Sequence, residues 1–159
     1  MAVLSDRDIL QAIDAARLRI EPFSAKNLTP NGYDLAIAEV VVLTMPPSTV
    51  KSGTAKIPGR ARFAVSTAEV VELGPDVTAQ LWLRTTWARQ GVLAAFGKVD
   101  AGFRGTLTLP ALNSNEDVLE LPVGERYAQI VFEDLTSPAE KVYAQRSGHF
   151  QDQRGVRLT

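Results

Sequence analysis

Two clusters of side chains in this sequence are equipped for chemistry. In the stretch 82–92, WLRTTWARQGV, two hydroxyls (Thr85, Thr86) stand between two guanidinium groups (Arg84, Arg89). Hydroxyls and guanidiniums together hold oxyanions through neutral and charged donors. Eleven residues beyond Arg89, Asp100 opens a tight turn through Gly102, with Phe103 just past it. A carboxylate, an aromatic plate and phosphate donors in proximity point to a small anionic ligand carrying a flat ring. The plainer readings stand beside these: Asp before Gly is common turn chemistry, Phe103 serves equally as a core aromatic, and exposed arginines often contribute little.

Composition narrows the reactions open to such residues. The 159 residues include no cysteine, one histidine (His149), 17 Lys+Arg and 18 Asp+Glu. Disulfides, thiolate metal sites and thiol nucleophiles are thereby excluded, as are His-rich metal motifs. A net charge of −1 lacks the basic field that a nucleic-acid backbone requires. No window approaches the apolar length of a membrane span. The acids in MAVLSDRDIL do not suit an export signal, so the sequence predicts a cytoplasmic protein.

The elements that must position these residues read as mainly β. Ser5 followed by Asp8 forms a capping-box pattern, and Ile9, Leu10 and Ile13 recur at helical spacing, predicting one short helix over roughly 5–16. After Pro22 the periodicity shifts to two, with strands expected near 34–43, 61–73, 77–84, 106–113, 117–121 and 126–134. In 77–84, Val77, Ala79, Leu81 and Leu83 alternate with Thr78, Gln80, Trp82 and Arg84. The Trp82 face suits a subunit interface or a ligand wall better than open water. One domain over 1–159 is expected, with a helical segment at 1–20 and a polar, mobile tail at 145–159. Gln129, in the apolar run 127–131, is a polar residue that a strand carries for a partner.

Several stretches in order resemble the dCTP deaminase and dUTPase superfamily, in particular its archaeal-type and deaminase-like branch. They are LSDRDI (4–9), IEPF and LTPNGYDL (20–35), LRTTWARQGV (83–92), VDAGFRGTLTL (99–109), GERYAQIVF (124–132), and VY with HFQDQRG (142–155). The resemblance implies a homotrimeric β-roll of the β-clip type with nucleotide sites between subunits. It implies Asp100 as general base for water attacking the α-phosphate of dUTP, Phe103 as a plate under the deoxyribose, and Mg2+ carried mainly by the triphosphate rather than by the protein. Thr85, Thr86, Arg89, Lys98, Gln129, Tyr143 and Gln153 become substrate ligands, with Asp34 and Arg84 in support. Backbone groups of 94–100 would read the base. The tail around Gln153 would close over bound nucleotide.

The same resemblance separates two reactions. Deaminases of the superfamily carry a glutamate in a pattern like G-x-I-x-L-E-x-x-N, and Pro110 stands at that place in Gly105–Asn113. Proline has no ionisable group and no N–H, so it relays no proton. Hydrolysis of dUTP to dUMP and pyrophosphate is the expectation. Deamination of dCTP through another acid, and a non-catalytic protein that binds dUTP or dTTP, remain the alternatives; dCTP or dTTP are further candidate ligands of the pocket. The tail, with Gln153 and Gly155 but no glycine-rich loop, is deaminase-like.

Overall fold

The computed structural model describes residues 2–159. Helix α1 (Asp6–Asp14) begins where the capping box predicts: the Ser5 hydroxyl accepts from the Asp8 amide and the Asp8 carboxylate accepts from the Ser5 amide. Its buried side is Ile9 and Ala12, while Leu10 faces outward. Then follow β1 (Leu18–Glu21), β2 (Leu28–Thr29), β3 (Gly32–Val42), β4 (Ser48–Val50), β5 (Thr54–Ile57), β6 (Arg62–Thr67), β7 (Val70–Leu73) and β8 (Val77–Leu83). The remainder comprises α2 (Thr85–Ala88), β9 (Val92–Ala94), β10 (Lys98–Val99), β11 (Arg104–Gly105), β12 (Thr108–Asn113), β13 (Leu119–Pro122), β14 (Arg126–Asp134) and α3 (Tyr143–Arg146).

The main sheet runs β10-β8-β14-β3-β6-β12-β9, with β2 and β4 each paired to β3. A three-stranded sheet, β1-β7-β11, and the pair β13-β5 complete the strands. The chain is thus the mostly β, curled-sheet fold expected, with one short N-terminal helix. Leu35, Ile37, Phe63, Val65, Leu109, Ile130 and Phe132 fill the interior.

Two expected strands are divided. The run 61–73 breaks at Ala68–Glu69, where the chain leaves the main sheet at β6 and enters the small sheet at β7. Glu69 is buried at that corner, its carboxylate accepting from the Ala36 amide. Likewise 106–113 starts as a strand only at Thr108, because β11 belongs to the other sheet. Burial at the corner makes both halves apolar, so periodicity alone joins them.

Pro110 lies exposed on β12. Thr67 donates to Leu107 and Asn113 to Ala61, so the odd residues of β12 face β6 in the hydrogen-bond ladder. The nitrogen of Pro110 points to the other side, past Ala94, the last residue of β9 that pairs. Proline sits where no donor is required.

Candidate active site

At one end of β8 the chain assembles an anion pole. The strand ends at Leu83, and Arg84 leads into α2, its amide donating to the Tyr127 carbonyl at 3.1 Å. Trp87 anchors the helix from below, its Nε1 donating to the Arg126 carbonyl at 2.9 Å. Thr85 and Thr86, just past the end of β8, lie in this single helical turn with Trp87 buried beneath it; both threonines and Arg89 are exposed.

Asp34 stands behind this pole. Its Oδ2 is 3.0 Å from Arg84 Nε and 3.4 Å from Arg126 Nη1. Burial raises the Asp34 carboxyl above its ordinary range, and the two guanidiniums pull it back. Two cations on one carboxylate leave the group net positive. Gln129 pairs in register with both Asp34 and Trp82, which sets the three side chains in one row on one sheet face. Its amide donates to Thr29 Oγ1 at 2.9 Å.

At the other end of β8 lies the acid. Val99 pairs with Ala79, and Thr78 Oγ1 donates to the Val99 carbonyl at 2.9 Å. The next residue is Asp100, whose carbonyl accepts from Phe103 N across a turn that needs Gly102 at φ +83°. A side chain at Gly102 would meet the Val142 Cβ at 2.4 Å, so the turn and the segment before α3 are fitted to each other. Asp100 and Lys98 are exposed, and among the described residues neither is in an ion pair. They border a cleft of about 350 Å³ shared with Lys141, Tyr143 and Arg146.

Phe103 is buried, its ring edge-on to Tyr143 with centroids 5.5 Å apart. The Tyr143 amide donates to the Ala101 carbonyl, and its hydroxyl accepts from Phe150 N at 3.0 Å. The tail returns along this end of the molecule. Gln153 bridges Gly105 in parallel, its Nε2 donates to the Thr106 carbonyl at 2.7 Å, and its Oε1 is buried without a partner. Arg104 and Asp152 form an ion pair beside it. His149 is exposed and packs edge-on to Phe150.

Proximity between acid and phosphate donors does not hold within one chain. Asp100 lies beyond Ala79 and Thr85 beyond Leu83, so roughly 20 Å of β8 separates them at about 3.3 Å per residue. Sequence reasoning placed them together because Asp100 follows Arg89 by only eleven residues. It also missed Arg126, which shares Asp34 with Arg84 from 92 residues away. Among the described residues no three His, Cys, Asp or Glu side chains are grouped to hold a metal ion, and no helix is long and apolar enough to cross a membrane.

Comparison with known proteins bears on this geometry. A family profile described as dCTP deaminase-like matches residues 46–135. A dCTP deaminase of Pyrococcus horikoshii is 40% identical over 133 residues, covering 83% of each chain. A protein of Sulfolobus islandicus rod-shaped virus 1, named "probable deoxyuridine 5'-triphosphate nucleotidohydrolase", is 36% identical over 98% of this chain and 97% of its own. Among solved structures, the 2'-deoxycytidine 5'-triphosphate deaminase of Agrobacterium tumefaciens superposes with a TM-score of 0.68 at 19% identity. That match covers 82% of this chain and 47% of the other, so the chain spans about half the length of that deaminase.

Proposed function

The chain belongs to the dCTP deaminase-like family, and from that premise we propose that it hydrolyses dUTP to dUMP and pyrophosphate as a homotrimer. The observation that carries the choice of reaction is Pro110. It is exposed on β12 where the resemblance calls for a glutamate in deaminases, and it has no group that takes up or releases a proton. Asp100, exposed and without an ion-pair partner, is the acid that remains.

In this reading Asp100 accepts a proton from a water as that water's oxygen bonds to the α-phosphorus. The bond from phosphorus to the α,β-bridging oxygen breaks, and its electron pair leaves with pyrophosphate. Thr85, Thr86 and Arg89 hold phosphate oxygens, with Arg84 fixed by Asp34 behind them. Gln129 lies in the same row as Asp34 and adds an amide on the α-phosphate side. Phe103 beneath the sugar leaves no room for a 2'-hydroxyl, and the tail from Tyr143 to Gln153 closes over the nucleotide.

Mg2+ belongs to the substrate in this scheme. An ion riding on a triphosphate would draw most of its ligands from phosphate oxygens and water, which fits a chain whose acids here are engaged otherwise: Asp34 holds two arginines and Asp100 serves as the base. Its chemistry there is neutralisation of charge on the departing pyrophosphate.

The roughly 20 Å between Asp100 and Thr85 supports sharing of each site between copies. The acid end of one chain then meets the anion pole of its neighbour. A second reading, deamination of dCTP, is favoured by the name of the Pyrococcus relative. One experiment separates them: incubation with Mg2+ and either dUTP or dCTP, with products resolved by anion exchange. dUMP from dUTP is expected. dUTP and ammonia from dCTP, without action on dUTP, supports the deaminase, and unchanged nucleotides support a binding protein.

A further inference from the structure

Helix α2 is a single turn, Thr85–Ala88, with no side chain capping its N-terminus. A helix that short does not hold itself in water. Trp87 ties one side of it to the Arg126 carbonyl. Beyond it, Arg89, Gln90 and Gly91 belong to no strand before β9 begins at Val92, and Gly91 turns at φ +82°.

The loop after β12 grips this exit. Asn113, the last residue of β12, is fully buried, and its Nδ2 lies 3.1, 3.1 and 2.9 Å from the carbonyl oxygens of Ile57, Pro58 and Asp117. Three acceptors fix that amide so that its Oδ1 faces Asn115, accepting from the Asn115 backbone N at 3.1 Å and from its Nδ2 at 2.9 Å. The same Nδ2 donates to the Gln90 carbonyl at 2.7 Å. Beside it, the Ser114 hydroxyl and amide donate to the Gly91 carbonyl at 2.7 and 2.9 Å. Carbonyls at the end of a helix lack partners within it, and here Asn115, 25 residues beyond Gln90, supplies one. A Cβ at Gly91 would lie 2.5 Å from Asn115 Oδ1, so turn and loop are fitted to each other.

Arg89 stands one residue before the gripped Gln90 carbonyl. It is exposed and, among the described residues, in no ion pair, so its reach toward a phosphate is set by where the backbone places it. A misplacement of about 1 Å costs up to about a hundredfold in a site of this kind.

We propose that Asn115, oriented by Asn113, is a positioning residue for phosphate binding: it fixes the backbone that presents Arg89 and does not touch the nucleotide. The role rests on the reading above in which Arg89 holds phosphate oxygens, and it adds the group that keeps Arg89 in place.

A double-mutant cycle tests it, with pyrophosphate and Mg2+ as the probe because pyrophosphate is not turned over. Asn115→Ala weakens pyrophosphate binding, measured by calorimetry, about tenfold, and Arg89→Ala weakens it at least as much. Combined, the two lose no more than Arg89→Ala alone, since Asn115 acts through Arg89. A general loosening of the fold would instead add to the Arg89 loss. Asn115→Leu, which keeps the branched shape without a donor, shows the same pattern, and thermal melts verify that each variant folds, as expected for an exposed position. Two results overturn the proposal: Asn115→Ala binds pyrophosphate as wild type does, or its loss and that of Arg89→Ala add. The readings fail separately. If Arg89→Ala alone weakens binding, only the positioning role falls; if neither single variant does, the phosphate role of Arg89 falls with it. A coupled pair without any dUTP turnover sinks the hydrolase alone.

Discussion

Asp100 and Thr85 stand at opposite ends of β8, the acid next to the Val99–Ala79 pair and the hydroxyl just past Leu83. One strand therefore spaces the proposed base and the proposed phosphate ligand too far apart to serve one site within a single chain. Each half has its own local support. On the Asp100 side Phe103 packs edge-on to Tyr143 and Gln153 bridges Gly105, while at the other end Asp34 holds Arg84 and Arg126, and Trp87 bonds the Arg126 carbonyl.

Sugar selectivity should follow Phe103. Replacing it with alanine opens space beneath the ribose, and the ratio of kcat/KM for UTP to that for dUTP should rise at least about tenfold. Truncating a buried phenylalanine also costs about 3–5 kcal/mol of stability. The ratio is unaffected by the folded fraction, since both substrates meet the same enzyme. An unchanged ratio removes the sugar-plate role.

Glu69 predicts a pH dependence with a definite sign. Burial raises its carboxyl above the usual 4.5, against the opposing hydrogen bond from the Ala36 amide. A carboxyl raised by folding contributes stability that is fully present below its unfolded pKa and is lost as pH rises through the folded value. Glu69→Gln carries no charge, so its Tm relative to wild type should increase between pH 4.5 and pH 8. A difference that stays flat across that window contradicts the assignment.

Tyr127 carries a buried hydroxyl with no partner, enclosed by Phe63, Trp87 and Phe96 at centroid distances of 6.3–6.4 Å. Desolvation pushes its ionisation far up. Tyr127→Phe keeps the ring and removes the unsatisfied group, so urea unfolding should show a gain of about 0.5–1 kcal/mol. A loss of stability would show that the hydroxyl has a partner after all.

The parts of this fold that are local were legible in the sequence. The Ser5–Asp8 capping box needs four residues, and β8 announces itself by alternation. The corner at Ala68–Glu69 was not, because β6 is buried almost throughout and β7 is buried on one face, so nothing in the apolar content marks the change of sheet. The same limit applies to the site. The GYDL and GERYAQ stretches flagged Asp34 and Gln129, yet their register on neighbouring strands is set by pairing nearly a hundred residues apart, and Arg126 enters through it. Motifs named the participants of both halves; only the length of β8 shows that the halves are far apart.

The shared site can be measured by complementation. Asp100→Asn lacks the base and Arg89→Ala lacks a phosphate ligand, so each should hydrolyse dUTP at least about a hundredfold more slowly than wild type. Co-expressed in equal amounts, the two chains assort at random, so that about a quarter of all sites draw an intact Asp100 and an intact Arg89 from different copies. The account predicts that dUMP production returns to about a quarter of the wild-type rate. Activity that stays at the level of the separate variants would contradict it.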